Sequence, residues 1–195
     1  MKNKILLGSN NAGKLREIKF YLDYFKIFQE HQKLNPSDFK NINEPIEDGK
    51  TFNENAKIKS NFFYDHTQCL SLSDDSGLVI DDLGEYPGVK TARVAKEMGG
   101  EQKVIDYIFS KFHNKSQLRA TFYCSLALFG KDKEIICSGE VKGNILPNGR
   151  GKNGFGYDPY FVPLNHIKTF AEMAADEKMF VSHRFNAFKI LTSQI

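Results

Sequence analysis

The opening of the chain constrains its fold more than any other segment. The apolar run Ile5–Leu7 ends at Gly8, which is typical of a buried strand that enters a turn. Apolar residues then recur at three- and four-residue spacing, and this periodicity predicts a helix that carries Leu15, Ile18, Leu22 and Phe25. A strand, a glycine-containing turn and a helix in this order predict an α/β fold.

Local patterns predict further helices. Thr51 and Glu54 have the spacing of a capping box, so we expect a helix from Phe52 to about Tyr64. A last helix is expected from about Ser182. Another helix is indicated by the apolar residues Val104, Ile105, Ile108 and Phe112. Residues 30–50 read as irregular, because they contain two prolines and several asparagines.

Short apolar runs predict the strands. Two of them, Leu70–Leu72 and Leu78–Ile80, are separated by the polar segment Ser73–Gly77. Two longer runs, Thr121–Phe129 and Glu134–Val141, flank a turn-forming sequence and predict an antiparallel hairpin. A possible parallel pair together with a hairpin predicts a mixed parallel and antiparallel sheet flanked by helices.

Composition excludes several classes of protein. The 27 Lys and Arg against 24 Asp and Glu give a charge of +3, and only five residues are Arg. Basic residues are spread along the chain, which argues against a nucleic-acid-binding face. The sequence has no run of about 18 apolar residues, so no transmembrane helix is expected. The segment Met1–Leu7 is too short for the apolar region of a signal peptide. Three cysteines without a CxxC pair argue against a zinc site and fit a reducing cytoplasm.

The segment Gly8–Lys14 is a candidate phosphate-binding loop. It lies between the predicted strand and helix, where backbone N–H groups and the helix dipole attract anions. Its spacing also satisfies the GxxxxGK pattern of a P-loop, but Leu15 stands where a P-loop has Ser or Thr to hold magnesium. A purely structural turn and a P-loop phosphotransferase therefore remain alternatives.

Two other polar segments are open to more than one interpretation. Adjacent carboxylates at Asp74 and Asp75 can hold a hard cation, yet Asp and Gly are also favoured in turns. Asn55 and Lys59 are four residues apart and share one face of the predicted helix. That face meets either a ligand or solvent.

The C-terminal third contains a possible binding site for a flat ligand. In Gly154–Pro159, glycines flank aromatic residues, so Phe155 could stack on a base, although a tight proline-terminated turn has the same sequence. Lys178, His183 and Arg184 are hydrogen-bond donors suited to carbonyl or phosphate oxygens.

In sequence order these segments resemble the inosine/xanthosine triphosphate pyrophosphatases, which remove non-canonical purine nucleotides from the nucleotide pool. The resemblance covers nearly the whole chain and rests on six motifs in the family's order. They are Ser9–Lys14, Glu47–Lys59 (ExGxTFxENAxxK), Asp74–Leu78 (DDSGL), Pro87–Arg93, Gly154–Pro159 (GFGYDP) and Glu177–Arg184 (EKxxxSHR). Three departures are visible: Asn10 replaces the usual glycine, Thr91 replaces serine, and Gly84–Tyr86 replaces the usual glycine pair.

The resemblance implies a magnesium-dependent enzyme that releases pyrophosphate and a nucleoside monophosphate from inosine, deoxyinosine or xanthosine triphosphate. It implies magnesium at Glu47 and Asp75, with Asp75 also orienting or deprotonating the attacking water. Lys14 and Lys59 would neutralise phosphate charge. The remaining substrate contacts that it implies are Ser9, Asn10, Asn11, Ala12, Gly13, Asn55, Ser76, Phe155, Gly156, Tyr157, Asp158, Lys178, His183 and Arg184.

We therefore expect a single α/β domain over residues 1–195, with two lobes and a central cleft. The resemblance also suggests a homodimer. It implies that the chain binds a small-molecule nucleoside triphosphate and neither nucleic acid nor a membrane. A P-loop phosphotransferase is the rival enzyme, although Leu15 and the predicted hairpin count against it. A non-enzymatic nucleic-acid-binding module is the rival from another class.

Overall fold

The computed structural model of this chain describes residues 3–195, so the first two residues of the N-terminal segment lie outside it. Six strands are formed by Lys4–Leu7 (β1), Gln32–Leu34 (β2), Leu70–Ile80 (β3), Leu118–Gly130 (β4), Lys133–Ile145 (β5) and Phe161–Pro163 (β6). Six α-helices are formed by Ala12–Tyr24 (α1), Phe52–Thr67 (α2), Thr91–Met98 (α3), Glu101–Ser110 (α4), Ala175–Val181 (α5) and His183–Gln194 (α6).

The strands form one mixed sheet, as the sequence predicts. Its order in the described residues is β2-β1-β3-β4-β5-β6. The first strand runs parallel to both of its neighbours, with Ile5 opposite Lys33 on one side and Leu70 on the other. At the other end of the sheet β5 and β6 are antiparallel. The predicted hairpin is confirmed as β4 and β5, and both strands extend beyond the predicted bounds.

One strand prediction is wrong in a way that matters for the site. The runs predicted as two strands form a single strand, β3, which continues through Ser73–Gly77 without a turn. Asp74 and Asp75 are buried there, and cationic or amide side chains contact their carboxylates. Tertiary partners therefore override the turn preference of Asp and Gly.

The sequence patterns also missed four short elements. Strands β2 and β6 have three residues each, and helices α3 and α5 have eight and seven. Elements of this length contain too few residues to display a hydrophobic period.

The chain forms two compact units. The first contains the residues up to Asp75, Cys124–Gly139 and Arg184–Ile195, and the second contains Ser76–Tyr123 and Glu140–His183. The boundaries fall inside β3, β4 and β5. The expectation of a single domain over 1–195, and that of a central cleft, stay predictions.

Each unit has apolar residues that exclude water. In the first, Leu6, Phe63 and Cys69 pack together, with Leu34 and Phe39 against them. In the second, a larger cluster includes Leu78, Val104, Ile108, Phe122, Phe161 and Phe170. None of the helices between residues 3 and 195 has the length and apolar character needed to cross a membrane.

Candidate functional site

The candidate phosphate-binding loop, Gly8–Lys14, leads from the sheet into the N-terminus of a helix. Asn11 is the N-cap of α1, and its side chain accepts a hydrogen bond from the backbone N–H of Lys14 at 3.1 Å. Ser9 Oγ accepts from the N–H of Asn11 at 3.2 Å. A side chain at Gly8 would overlap Ser73 Oγ and the ring of Phe63. The loop is therefore fixed at both ends, and the first-turn N–H groups of Ala12 and Gly13 belong to a helix start suited to an anion.

Asn10, one of the departures from the family pattern, does not distort this loop. Its φ is not among the positive values found in the described residues, so the turn does not require glycine at this position. The side-chain amide instead donates to Glu44 Oε1 at 2.9 Å.

A buried ionic group lies behind the loop. The guanidinium of Arg184 is 1 % exposed and donates to Asp74 Oδ2 at 2.8 Å and to Glu17 Oε2. Lys14 Nζ is 3.4 Å from the same Asp74 oxygen. The family resemblance implies that Arg184 contacts the substrate, and the structure places its guanidinium against these two carboxylates in the first unit.

A second polar group surrounds Asp75. Asn55 Nδ2 donates to Asp75 Oδ2 at 3.0 Å, and Asn55 Oδ1 accepts from the N–H of Gly49 at 2.8 Å. One turn further along α2, Lys59 Nζ lies 2.7 Å from Glu47 Oε1. The predicted shared face of Asn55 and Lys59 is therefore directed at charged groups of the protein, and both residues are buried.

The two adjacent carboxylates differ in acidity. Burial raises the pKa of both, because it disfavours the charged form. For Asp74 the cations Lys14 and Arg184 outweigh burial and hold the pKa well below its ordinary value. For Asp75 burial outweighs the cations, the Glu47 carboxylate adds to it, and the pKa rises to about 6. One carboxylate is thus a fixed anion, and its neighbour can take up a proton near neutral pH.

The amine of Lys59 remains charged despite its burial. Burial alone disfavours the ammonium form. The carboxylates of Asp74, Glu47 and Asp75 outweigh this effect and raise the pKa of Lys59 above its ordinary value. Lys59 therefore keeps its positive charge beside Glu47 and Asp75.

The carboxylates of Glu47 and Asp75 fit a magnesium ion whose other ligands are waters and phosphate oxygens. Within residues 3–195, no three His, Cys, Asp or Glu side chains are grouped as a complete metal site. Magnesium, however, is usually bound through one or two carboxylates, with waters and substrate phosphates completing the octahedron. Glu47 and Asp75 supply hard oxygen ligands, and their mutual repulsion raises the pKa of Asp75. A cation between them would relieve that repulsion.

In the second unit, the Gly154–Pro159 segment holds a buried ion pair beneath an aromatic ring. Lys178 Nζ lies 2.6 Å from Asp158 Oδ2, and both side chains are almost fully buried. The same Nζ is 4.8 Å from the centre of the Phe155 ring. The N–H of Phe155 donates to Asp158 Oδ2 at 2.7 Å. Gly154 has a φ of +76°, and a side chain there would overlap Asp158.

Two other predicted contacts of this unit have packing roles. The ring of His183 stacks on Phe122, with centroids 4.9 Å apart and planes 15° apart. Tyr157 is buried in the apolar cluster, where burial and the charge of Glu101 raise the pKa of its phenol. Its hydroxyl therefore faces the interior of the unit, and only its backbone is left to meet a ligand.

The structure groups the predicted residues by unit. The first unit contains Ser9, Asn10, Asn11, Ala12, Gly13, Lys14, Glu47, Asn55, Lys59, Asp75 and Arg184. The second contains Ser76, Phe155, Gly156, Tyr157, Asp158, Lys178 and His183. Charges suited to phosphate thus lie in one unit, and an aromatic ring with a buried cation lies in the other.

Sequence reasoning missed two members of the ionic group. Asp74 was considered as a cation ligand or a turn residue but not as the partner of Arg184, and Glu17 was not selected at all. Glu17 is nevertheless buried on the same face of α1 as Ile18 and Tyr21. A carboxylate in the apolar stripe of a predicted helix is rare unless it is paired, and this was the available signal.

Known proteins are similar to this chain in sequence and in fold. A sequence model of the Ham1 family matches residues 5–194. The chain belongs to the Ham1 family.

Relatives and solved structures of the Ham1 family cover almost the whole chain. A protein of Zymomonas mobilis named dITP/XTP pyrophosphatase is 38 % identical, over 96 % of this chain and 90 % of its own. A protein of the same name from Bacillus anthracis is 36 % identical, over 98 % and 96 %. The solved Staphylococcus aureus Ham1 protein has a TM-score of 0.85 at 32 % identity and covers 98 % of this chain and 97 % of its own. Its α/β fold matches the one described above.

Proposed function

We propose that this chain hydrolyses the non-canonical purine nucleotides dITP, ITP and XTP to the nucleoside monophosphate and pyrophosphate. Membership of the Ham1 family supports this proposal, together with the name dITP/XTP pyrophosphatase that its relatives carry. The observation that carries it in the structure is the pair Asp74 and Asp75. One is a fixed anion that holds Lys14, and the other has a pKa of about 6 beside Lys59.

The phosphates would bind at the start of α1. Lys14 and Lys59 neutralise charge that accumulates on the α-phosphoryl group and on the leaving pyrophosphate. Ser9, Asn11 and the first-turn N–H groups of Ala12 and Gly13 orient the phosphate oxygens. Asn10 and Asn55 complete this side of the proposed site.

Asp75 would orient the attacking water or accept its proton. Without magnesium its pKa of about 6 lies near enough to neutral pH for a general base, but a bound magnesium ion would lower this pKa, so orientation of the water would then be its main role. Asn55 holds the carboxylate in place by donating a hydrogen bond to Oδ2. Magnesium held by Glu47 and Asp75 would supply electrostatic stabilisation of the pyrophosphate leaving group.

The base would lie on Phe155. Hypoxanthine, xanthine and guanine present an acceptor oxygen at position 6, whereas adenine presents an amino donor. The buried ammonium of Lys178 favours the acceptor, and an unmatched donor in such a site can give about 10⁴-fold discrimination. This contact would therefore exclude ATP, and rejection of GTP would have to act through the 2-amino group of guanine. Asp158 holds Phe155 in place by accepting a hydrogen bond from its N–H. The proposed set of substrate contacts and of residues that support them also includes Ser76, Gly156, Tyr157, His183 and Arg184.

The proposal also includes the setting in which the enzyme acts. We expect a homodimer, which would elute from a size-exclusion column at about twice the chain mass of 22.2 kDa. We place the enzyme in the cytoplasm, where its role would be to keep these nucleotides out of DNA and RNA. The three free and buried cysteines are compatible with such a reducing compartment.

Product analysis tests the proposed reaction. The chain is incubated with magnesium and ITP, dITP or XTP, beside ATP and GTP, and the products are separated by ion-exchange chromatography. Monophosphate plus pyrophosphate from the first three, with ATP and GTP nearly untouched, is the expected result. Inosine diphosphate plus orthophosphate would instead identify a P-loop type of phosphotransfer. No turnover of any triphosphate would overturn the proposal.

A further inference from the structure

Asn53 forms a polar contact that the mechanism above does not use. It lies in the first turn of α2, and its Oδ1 accepts hydrogen bonds from two serine hydroxyls. One is Ser125 on β4, and the other is Ser138 on β5 at 2.6 Å. The two hydroxyl oxygens are 3.4 Å apart, so a single oxygen joins the start of the helix to both strands of the hairpin.

The same helical turn carries a group of the proposed site. Asn55, two residues further on, connects the N–H of Gly49 to the carboxylate of Asp75. Lys59 follows one turn later and pairs with Glu47. Any movement of the first turn of α2 would therefore displace Asn55 at once, and Glu47 through the Gly49 backbone.

The hairpin contact restrains a part of the helix that is otherwise only partly fixed. The first turn of any α-helix lacks intrahelical acceptors for its N–H groups and is prone to fray. Here Thr51 caps one of these groups, that of Glu54, at 3.1 Å. Two hydrogen bonds from different strands to one oxygen define a position as well as adding stability. Misplacement of a catalytic group by about 1 Å can lower a rate about 100-fold.

We propose that Asn53, with Ser125 and Ser138, is a positioning group that sets the place of Asn55 and Lys59 for pyrophosphate release. This inference rests on the proposed function. Asn53 acts through Asn55 and does not itself touch the substrate. The active feature is one acceptor oxygen, and this defines the variants that test it.

The substitutions separate the acceptor oxygen from the rest of the side chain. Asn53→Ala removes the acceptor, whereas Asn53→Asp keeps it, and an acidic residue in a first helical turn is favoured by the helix dipole. Ser125→Ala and Ser138→Ala each remove one donor. Lys57→Ala is the matched control, because Lys57 also joins α2 to β5, through an exposed ion pair with Glu134.

The experiment measures kcat and KM for dITP with magnesium, and thermal unfolding of every variant. We expect Asn53→Ala to lower kcat about tenfold and to change KM less than about threefold. Asn53→Asp should restore kcat to within about threefold of the wild type, and Lys57→Ala should match the wild type. An unchanged kcat in Asn53→Ala, or a loss that Asn53→Asp does not restore, would overturn the inference.

Amide hydrogen exchange gives a readout that does not depend on turnover. Peptides covering residues 49–59 should exchange faster in Asn53→Ala than in Asn53→Asp or Lys57→Ala. Equal exchange in all three variants would overturn the inference even if kcat falls. Absence of turnover in the wild type would instead remove the proposed function, so the two failures are distinguishable.

Discussion

At the scale of single residues, two adjacent aspartates have acquired opposite properties from their surroundings. Asp74 and Asp75 are both buried, and the charges of Lys14 and Lys59 lower the pKa of both carboxyls. The difference is Arg184, which donates directly to Asp74, and Glu47, which repels the charge of Asp75. A sequence shows two identical letters here, while the neighbours that separate their acidities come from distant parts of the chain.

Asp75→Asn is expected to abolish turnover and to stabilise the metal-free protein. The carboxylate has a pKa of about 6 against an ordinary 3.8, so its charge opposes folding by about 3 kcal/mol at pH 7. Asparagine keeps the hydrogen bond from Asn55 without the charge. Urea unfolding in metal-free buffer should give a higher free energy of unfolding for Asp75→Asn than for the wild type.

The stability that Asp75→Asn gains should depend on pH, and this dependence tests whether the carboxylate charge is its cause. A raised pKa stabilises the folded state below 3.8, and this contribution is lost as the pH rises through about 6. The advantage of Asp75→Asn should therefore be full above pH 6 and vanish below about pH 4. Asp48→Asn, which changes an exposed carboxylate, should not alter stability. A gain that persists below pH 4 would contradict the assigned cause.

Arg184→Leu tests whether Arg184 is primarily a structural cation. Its guanidinium is shared by Asp74 and Glu17, so the substitution removes a buried charge from two buried carboxylates. We expect the free energy of unfolding to fall by about 3–5 kcal/mol at pH 7. Arg150→Leu is the control, since Arg150 is half-exposed in its pair with Glu172 and should cost less than about 1 kcal/mol.

The stability lost in Arg184→Leu should be smaller at acidic pH. The depressed pKa of Asp74 gives stability that is present above its ordinary value of 3.8 and is lost as the pH falls below it. The difference in the free energy of unfolding between the wild type and Arg184→Leu should therefore decrease below about pH 4. A fully stable variant in which only KM for dITP rises would instead support a role of Arg184 as a substrate contact.

At the scale of elements, local patterns found the longer helices and the hairpin. Thr51 caps α2 as predicted, but Glu54 turns its carboxylate to the N–H of Lys50, one residue before the cap. The continuous strand through Asp74 could not be predicted, because its polar residues are stabilised by Arg184 and Asn55 from other elements. Motif order located most of the proposed site, but only tertiary structure pairs its charges.

Gly49→Ala should disconnect the loop that carries Glu47 from the start of α2. An alanine Cβ would lie 2.6 Å from Asn55 Oδ1 and 2.7 Å from Glu54 Cβ, so the loop must move. We expect kcat to fall about tenfold or more, and the magnesium concentration for half-maximal rate to rise. Lys50→Ala, an exposed change on the same loop, should leave both quantities unchanged. Equal magnesium dependence in the two variants would refute the coupling.

At the scale of the whole molecule, the two compact units do not correspond to two separate stretches of chain. Each is assembled from discontinuous segments, and three strands of the sheet contribute residues to both. Hydrogen bonding along a strand is cooperative with that of its neighbours in the sheet, so partial unfolding would have to break β3, β4 and β5 in mid-strand. From this connectivity we predict that the chain unfolds as a single domain.

Unfolding should therefore be a single transition when each unit is followed by its own probe. All three cysteines, Cys69, Cys124 and Cys137, lie in the first unit and are buried, so thiol reactivity reports its opening. Five of the eight tyrosines lie in the second unit, and the chain has no tryptophan, so tyrosine fluorescence is weighted toward that unit. Along a urea titration the two signals should share one midpoint. Thiols that react at lower urea than the fluorescence change would show two independently folding domains.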